Sequence, residues 1–390
     1  MNKRLPTDHI ITIINQKGGV GKTSSCTLMA TLLGLAGYQC LVIDNDSQAN
    51  TTATLLPDIA SVTKSIVDIF RMNTPTAEEV AACIYHTPYQ GVDLIPSRPE
   101  HQRTDDYLYS LLGRKAIHKL LKRAIKQVEE HYDYILIDTH PDLGGSVQNA
   151  LCCSDYVLIP VKPDGYSYQG VTPIINQVLD IASDEDLNPE LQLLGVFLTC
   201  AEPRNAAYRK FYSYYQNTFG DDFIPVSVRL DRSVSAVCNF LIPLPYLLGS
   251  SDYQAGGSWK AIYDYIELMK YTEIIGDEDY IVLRTTFEIL ERNLAVHIPS
   301  GAYDNPYIAH ITPISGLSDA CAPYENHPFM TYSAMLDVLN QQQELCNCIQ
   351  RCLLTVGDTT RNIRYCSEDS ALSEKYSFVR IAALKPAQEV

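Results

Sequence analysis

"NQKGGVGKTSS", residues Asn15 to Ser25, decides the fold of this chain. A phosphate-holding loop reads G-x-x-x-x-G-K-[ST]. Here its second half stands intact as Gly21, Lys22 and Thr23, the slot of its first glycine holds Gln16, and a second lysine, Lys17, follows at once. A glycine-rich turn lets consecutive backbone N–H groups converge on one point, and the positive end of a following helix adds to them, so the loop suits an anion. The flanks give the required context. The block "IITIIN" is short, apolar and β-branched, and "TSSCTLMATLLGLAG" has helical spacing and stops at Gly37. Strand, loop and helix predict Lys22 on the β- and γ-phosphates and the Thr23 hydroxyl on Mg²⁺. Ser24 reads either as a further phosphate contact or as a first-turn helix hydroxyl.

Working outward, "YQCLVIDND" (Tyr38 to Asp46), "HYDYILIDTHPDLGG" (His131 to Gly145), "SDYVLIPVKP" and "LQLLGVFLTC" are further apolar strand blocks. Such strands, alternating with helical segments, predict an α/β fold: a mostly parallel sheet with helices on both faces. Ligands of these sheets bind at the C-terminal strand ends. Three acids stand there. Asp138 ends "YILID", and Asp44 and Asp46 end "LVIDND". Mg²⁺ keeps part of its hydration shell and takes carboxylates from rigid strand ends. The alternative for each acid is a cap on a helix or turn.

At 390 residues, 46% of them hydrophobic and 19% charged, the chain is an ordinary globular one with room for a large domain and a smaller one. No run of about 18 apolar residues and no signal-peptide pattern occurs, so a cytosolic protein with reduced cysteines is expected. The 12 cysteines are scattered, and most read as small buried hydrophobes. A net charge of −16 argues against a surface coated for gripping nucleic acid. From Pro203 to Arg232, however, five positives (Arg204, Arg209, Lys210, Arg229, Arg232) meet three negatives (Asp221, Asp222, Asp231).

Between the second and third strands, "GRKAIHKLLKRAIKQVEE" (Gly113 to Glu130) predicts a helix with Ile117, Leu120, Leu121, Ala124, Ile125 and Val128 on one face and basic residues on the other. The helical pattern "SWKAIYDYIELMKY" ends near Tyr271, and the acidic run "GDEDY" follows. A boundary there gives one domain over 1–272 and a small α+β C-terminal extension over 273–390. The extension mixes strand-like blocks ("YIVLRTTF", "YSFVRIAAL") with an amphipathic helix from about Thr331 to Leu354. From Glu273 on, eight positives face sixteen acids, so it is not expected to hold DNA.

Taken together, "KGGVGKT" (Lys17 to Thr23), "LVIDNDSQAN" (Leu41 to Asn50) and "YDYILIDTHPDLG" (Tyr132 to Gly144) resemble the deviant Walker A, A′ and Walker B motifs of the ParA/MinD superfamily, nearest to the ParA and Soj partition ATPases. "VDLIPS", "IPVKPDGYSYQGV" and "IPVSVRLD" are supporting matches, and the resemblance runs from Ile10 to Tyr271. It implies a P-loop NTPase that binds ATP and Mg²⁺ through Gly18, Gly19, Val20, Gly21, Lys22, Thr23 and Ser24, with Pro225 near the base. It implies that Lys17 reaches across an ATP-sandwich homodimer to the partner's nucleotide, a cation delivered only when two chains meet. By the same resemblance Asp46 positions or polarises the attacking water, Asp44 supports the Mg²⁺ site and Asp138 holds the ion through water. Thr139 to Gly145 becomes a switch that senses the γ-phosphate. Two positions depart from the family pattern: Ser47 stands where D-P-Q has proline, and His140 stands within "DTHP" where D-x-P-P has proline.

The resemblance also implies non-specific DNA binding by the ATP dimer through Arg204 and Arg229, with Arg232 close by, and a ParB-like partner that stimulates hydrolysis. The alternative for these arginines is pairing with Asp221, Asp222 and Asp231. Several relatives are excluded by what is missing. "THPDLGGSVQN" has no cysteine for an iron–sulfur cluster, and "CNCIQRC" (Cys346, Cys348, Cys352) lacks C-x-x-C spacing. The ending "YSFVRIAALKPAQEV" is not the basic amphipathic helix of membrane-bound relatives. The 26 tyrosines are spread along the chain and form no kinase-like tail. Two functions follow: a partition switch on DNA, or a nucleotide-gated interaction subunit of a positioning or defence complex that never touches DNA.

Overall fold

The computed structural model describes residues 9–111, 117–165, 170–247, 258–277, 279–281, 283–284, 287, 361–365 and 381–386. Strand β1 (His9–Ile13) runs into the glycine loop and helix α1 (Lys22–Ala36), then β2 (Cys40–Asn45). Gly37 ends α1 as expected: it adopts φ 109°, a left-handed position favouring glycine, and its N–H returns to the Leu33 and Gly34 carbonyls. Four short helices follow, interrupted by two strands: α2 (Asn50–Leu55), α3 (Ile66–Arg71), α4 (Ala77–Ala81), β3 (Tyr85–His86), β4 (Val92–Ile95) and α5 (Thr104–Ser110). The chain continues as α6 (Leu120–Ile125), β5 (Tyr134–Thr139), α7 (Gly145–Cys153), β6 (Tyr156–Val161), α8 (Val171–Ser183), β7 (Gln192–Ala201), α9 (Ala206–Phe219), β8 (Phe223–Arg229), α10 (Arg232–Phe240) and α11 (Lys260–Tyr271).

The eight strands form one sheet in the order β3-β4-β2-β5-β1-β6-β7-β8. Every pairing is parallel except β3 with β4, so the strands that carry the motifs end at one edge. Side-chain alternation explains the near-continuous apolar runs. Leu41, Ile43, Ile135 and Ile137 face one core with Phe70 of α3, Leu121 of α6 and Ala150 of α7. Val42 and Leu136 point the other way and are also fully buried, which requires a cover on the second face; α1 packs there against β2 and β5. A neighbouring core joins Val157, Ile159, Val196 and Leu198 to Leu151 of α7, Ile174 of α8 and Tyr215 of α9.

The helix expected from Gly113 to Glu130 is shorter. Residues 113–116 lie outside the described residues, and only Leu120–Ile125 is α-helical. The start is set from outside, because the Asn149 side-chain carbonyl accepts the Leu120 and Leu121 N–H groups at 3.0 and 3.3 Å. Its apolar face is as read: Ile117, Leu120, Leu121, Ala124, Ile125 and Val128 are all buried.

By internal contacts the chain divides into one unit of residues 1–243 and 260–274, which holds the sheet, and a second of 244–259 and 275–390. In the second unit the described positions of "YIVLRTTF" are helical where a strand was expected, with buried Leu283 and Phe287 four residues apart on one helical face. It also holds an antiparallel pair, β9 (Arg361–Tyr365) with β10 (Ile381–Pro386), the latter overlapping the end of the expected block "YSFVRIAAL". The helix expected over 331–354 and the "CNCIQRC" cysteines lie outside the described residues. Among the described residues, no helix is long and apolar enough to cross a membrane.

Candidate active site

Register puts the motifs side by side. Ile13 of β1 and Asp44 of β2 both pair with Asp138 of β5, so the glycine loop leaves the sheet between β5, which carries Asp138, and β6. The loop is held from three directions. The Asn15 side-chain amide donates to the Pro160 carbonyl at 2.7 Å, its carbonyl accepts the Lys17 N–H at 2.8 Å, and the Thr199 hydroxyl of β7 donates to the Val20 carbonyl at 2.7 Å. Gly21 caps α1 at φ 94° and Gly19 sits at φ 71°, both in the left-handed region that side chains resist. The first amides of α1 are thereby left facing a cavity of about 720 Å³ lined by Gly18, Gly19, Gly21, Lys22, Thr23 and Ser24.

Lys22 is 7% exposed, and its ammonium donates to the Lys17 carbonyl at 3.4 Å. Burial lowers its pKa, while the carboxylates of Asp138, Asp46 and Asp142 oppose that shift. Asp138 is fully buried. Its Oδ2 accepts the hydroxyls of Thr23 and Thr51, each at 2.7 Å, whereas its Oδ1 is buried with no hydrogen-bond partner among the described residues. Burial pushes Asp138 up to about 6, against those two hydroxyls. A buried carboxylate oxygen without a donor, beside a threonine at a helix start, fits a hydrated cation. Among the described residues no group of three His, Cys, Asp or Glu converges. A cation here would therefore take its remaining ligands from phosphate and water, as Mg²⁺ does.

In this structure Asp44 takes the capping alternative that strand-end acids also offered. It is fully buried, its Oδ2 accepts the Thr52 N–H at 2.7 Å and the Thr52 hydroxyl at 2.6 Å, and its Oδ1 accepts the Asp46 N–H at 3.2 Å. Both oxygens are spent on holding α2 and the turn after β2. Burial, and then the Asp138 carboxylate, push Asp44 up to about 8. An unfolded Asp titrates near ~3.9, so between these values the folded chain keeps a proton that the unfolded chain has lost, and stability falls as pH rises toward 8. Without nucleotide, the thermal midpoint is expected to drop between pH 6 and 8.5, with a loss of up to about 3 kcal/mol of stability. Asp44→Asn should flatten that slope in calorimetry at the two pH values.

Asp46, 7% exposed, lines the cavity. Its Oδ1 accepts the Gln48 N–H at 2.9 Å, and Ser47 sits in a turn closed by the Ala49 N–H on the Asp46 carbonyl. His140 also lines the cavity, its Nε2 3.9 Å from Asp46 Oδ1 and its Nδ1 3.0 Å from Asp142. The expected switch segment begins at the Thr139 hydroxyl, which donates to the Ile13 carbonyl, and just past its end the Ser146 N–H donates to Asp105.

Lys17 does not line this cavity. Its ammonium donates to both oxygens of Asp164 in the same chain, at 2.9 and 2.8 Å, and each side chain is about a third exposed. Pro225, which the resemblance put near the base, is exposed early on the edge strand β8 and does not line the cavity. The end of β8 and the start of α10 do that lining, through Val228, Leu230, Asp231 and Val234. Arg204 and Arg232 are exposed. Arg229 differs: its guanidinium is held by Asp264 of α11 through Nε and Nη2, at 2.6 to 3.1 Å, rather than by the acids near it in sequence. Sequence reasoning missed Thr51, Lys162 and Asp164. Lys162 follows β6 directly, and the strand-end rule that singled out the acids applies equally to a cation.

A family model described as an AAA domain matches residues 8–193. The sporulation initiation inhibitor protein Soj of Bacillus subtilis is 32% identical over 230 residues, which is 58% of this chain and 87% of Soj. The chromosome partitioning protein ParA of Myxococcus xanthus is 30% identical over 230 residues, 58% of this chain and 78% of that one. The structure of cobyrinic acid a,c-diamide synthase from Mycobacterium smegmatis, solved with an ATP analog and magnesium, shares the fold with a TM-score of 0.51 at 24% identity, over 60% of this chain and 92% of that one.

Proposed function

This chain belongs to the ParA/Soj family of partition ATPases, and we propose on that premise that it is an ATP-driven dimerisation switch acting in plasmid or chromosome partition. Mg²⁺ and ATP would occupy the cavity, with Lys22 and the α1 amides on phosphate, Thr23 on the ion and Asp138 behind it through water. Bound Mg²⁺ supplies charge neutralisation at the phosphates. Asp46 orients the attacking water. The observation that supports the dimer is the position of Lys17: it stands on the glycine loop, does not line its own cavity and is held at Asp164, so exchanging that contact would let it meet a second chain's nucleotide. Hydrolysis then waits for pairing, and a ParB-like partner would accelerate it. We take 1–272 as the ATPase domain and 273–390 as an extension, whose excess of acids suits a protein partner better than DNA.

DNA binding is assigned to Arg204 and Arg232, which are exposed, ahead of Arg229, which Asp264 neutralises. The test is retention on random-sequence duplex DNA with ATP, ADP or no nucleotide. Retention should need ATP, and Arg204→Ala or Arg232→Ala should each weaken it and reduce the log–log salt slope by about one. Arg229→Ala should instead lower thermal stability by about 1–3 kcal/mol, because Asp264 keeps only 12% side-chain exposure and loses its partner. The charge of −16 favours a second reading, a nucleotide-gated interaction subunit. Absence of retention at low salt with ATP would select it.

A further inference from the structure

We propose that Lys162 is a nucleotide-binding residue of this chain, a cation supplied in cis to the polyphosphate from the β6 side of the glycine loop. This rests on the nucleotide site proposed above. Because β6 pairs with β1, in register Ile11 to Tyr156 and Ile13 to Leu158, its C-terminal end emerges beside the loop that follows β1. Lys162 is the first residue past that end. Its ammonium lies 3.7 Å from the point where a Cβ on Gly19 would stand, at the crest of the loop, and it lines the same cavity as Lys22, Thr23 and Asp46.

Its surroundings leave that charge for a ligand. Among the described residues no carboxylate forms an ion pair with Lys162, whereas Lys17, on the loop itself, is paired with Asp164. The segment Lys162–Pro163–Asp164 is a tight turn, closed by the Asp164 N–H on the Lys162 carbonyl at 2.8 Å, and proline stiffens it. One turn therefore aims a cation at the cradle and holds a second cation away from it. A polyphosphate carries more negative charge than Lys22 and one Mg²⁺ neutralise, and a charge-assisted contact in a partly enclosed cavity is among the stronger kinds. Lys162 fills that position before any partner arrives, so nucleotide binding by a single chain does not depend on Lys17.

The test is calorimetric titration of the full chain with MgATP and MgADP. Lys162→Met, which keeps the side chain's length, should weaken both by roughly tenfold, and Lys162→Arg should recover most of the loss. Neither should shift the thermal midpoint without nucleotide, which separates lost binding from lost folding. If the unmodified protein binds MgATP and Lys162→Met binds it within about twofold, Lys162 has no such role while the nucleotide site stands. If the unmodified protein binds neither nucleotide, both proposals fall.

Discussion

Asp46→Asn will bind MgATP within a few-fold of the unmodified protein and hydrolyse it roughly 10²–10⁴ times more slowly. The substitution preserves shape and the acceptor for the Gln48 N–H, so the turn after β2 should persist. It removes a carboxylate that lines the cavity from the end of β2. Phosphate binding is carried by other groups, the glycine-loop amides and Lys22, which is why affinity and turnover should separate. The neighbouring Asp44 provides the internal control. Its oxygens are committed to Thr52 and the Asp46 N–H, so Asp44→Asn should act mainly on stability and its pH dependence. Single-turnover hydrolysis and nucleotide titration of the two variants distinguish these roles; equal loss of turnover in both would show that Asp46 has no special task.

Lys17→Ala will keep nucleotide affinity within about threefold and lose hydrolysis by an amount comparable to removal of an arginine finger, on the order of 10³. Affinity should survive because the Lys17 ammonium sits on Asp164 and does not line its own cavity. Stability should also survive, since an ion pair about a third exposed on each side contributes ~0–1 kcal/mol. Asp164→Asn is the complementary variant. It removes the carboxylate charge that holds Lys17 in cis, so ATP-dependent association should begin at lower protein concentration, opposite in direction to Lys17→Ala. A drop in association in both variants would mean that the pair holds the loop in shape and does not hold a lysine in reserve.

Much of the sheet could be read from the chain because buried parallel strands are apolar on both faces: β1, β2, β5, β6 and β7 all announce themselves as near-continuous apolar runs. The edges did not. β3 has two residues, and β8 carries Pro225 and Ser227 on an edge where proline is tolerated and one side meets water. The basic helix before β5 is shorter than its periodicity predicts, because periodicity registers the buried face but not the Asn149 side chain that starts the helix from another element. At the site, the loop and Asp138 follow from local sequence, since each is set by its own strand end. Asp44 and Asp46 stand two residues apart on one strand end, and only the fold shows that Asp44 faces Thr52 while Asp46 faces the cavity. Arg229 and Asp264 are separated by 35 positions, and Lys17 and Asp164 by 147, distances over which no sequence pattern connects them.

Sedimentation velocity of the full chain with MgATP and with MgADP, repeated for Lys17→Ala, addresses the dimer switch most directly. A two-chain species that forms with MgATP alone and vanishes in the Lys17 variant is the predicted result; one chain under every condition, or a pair indifferent to nucleotide and to Lys17, would contradict it.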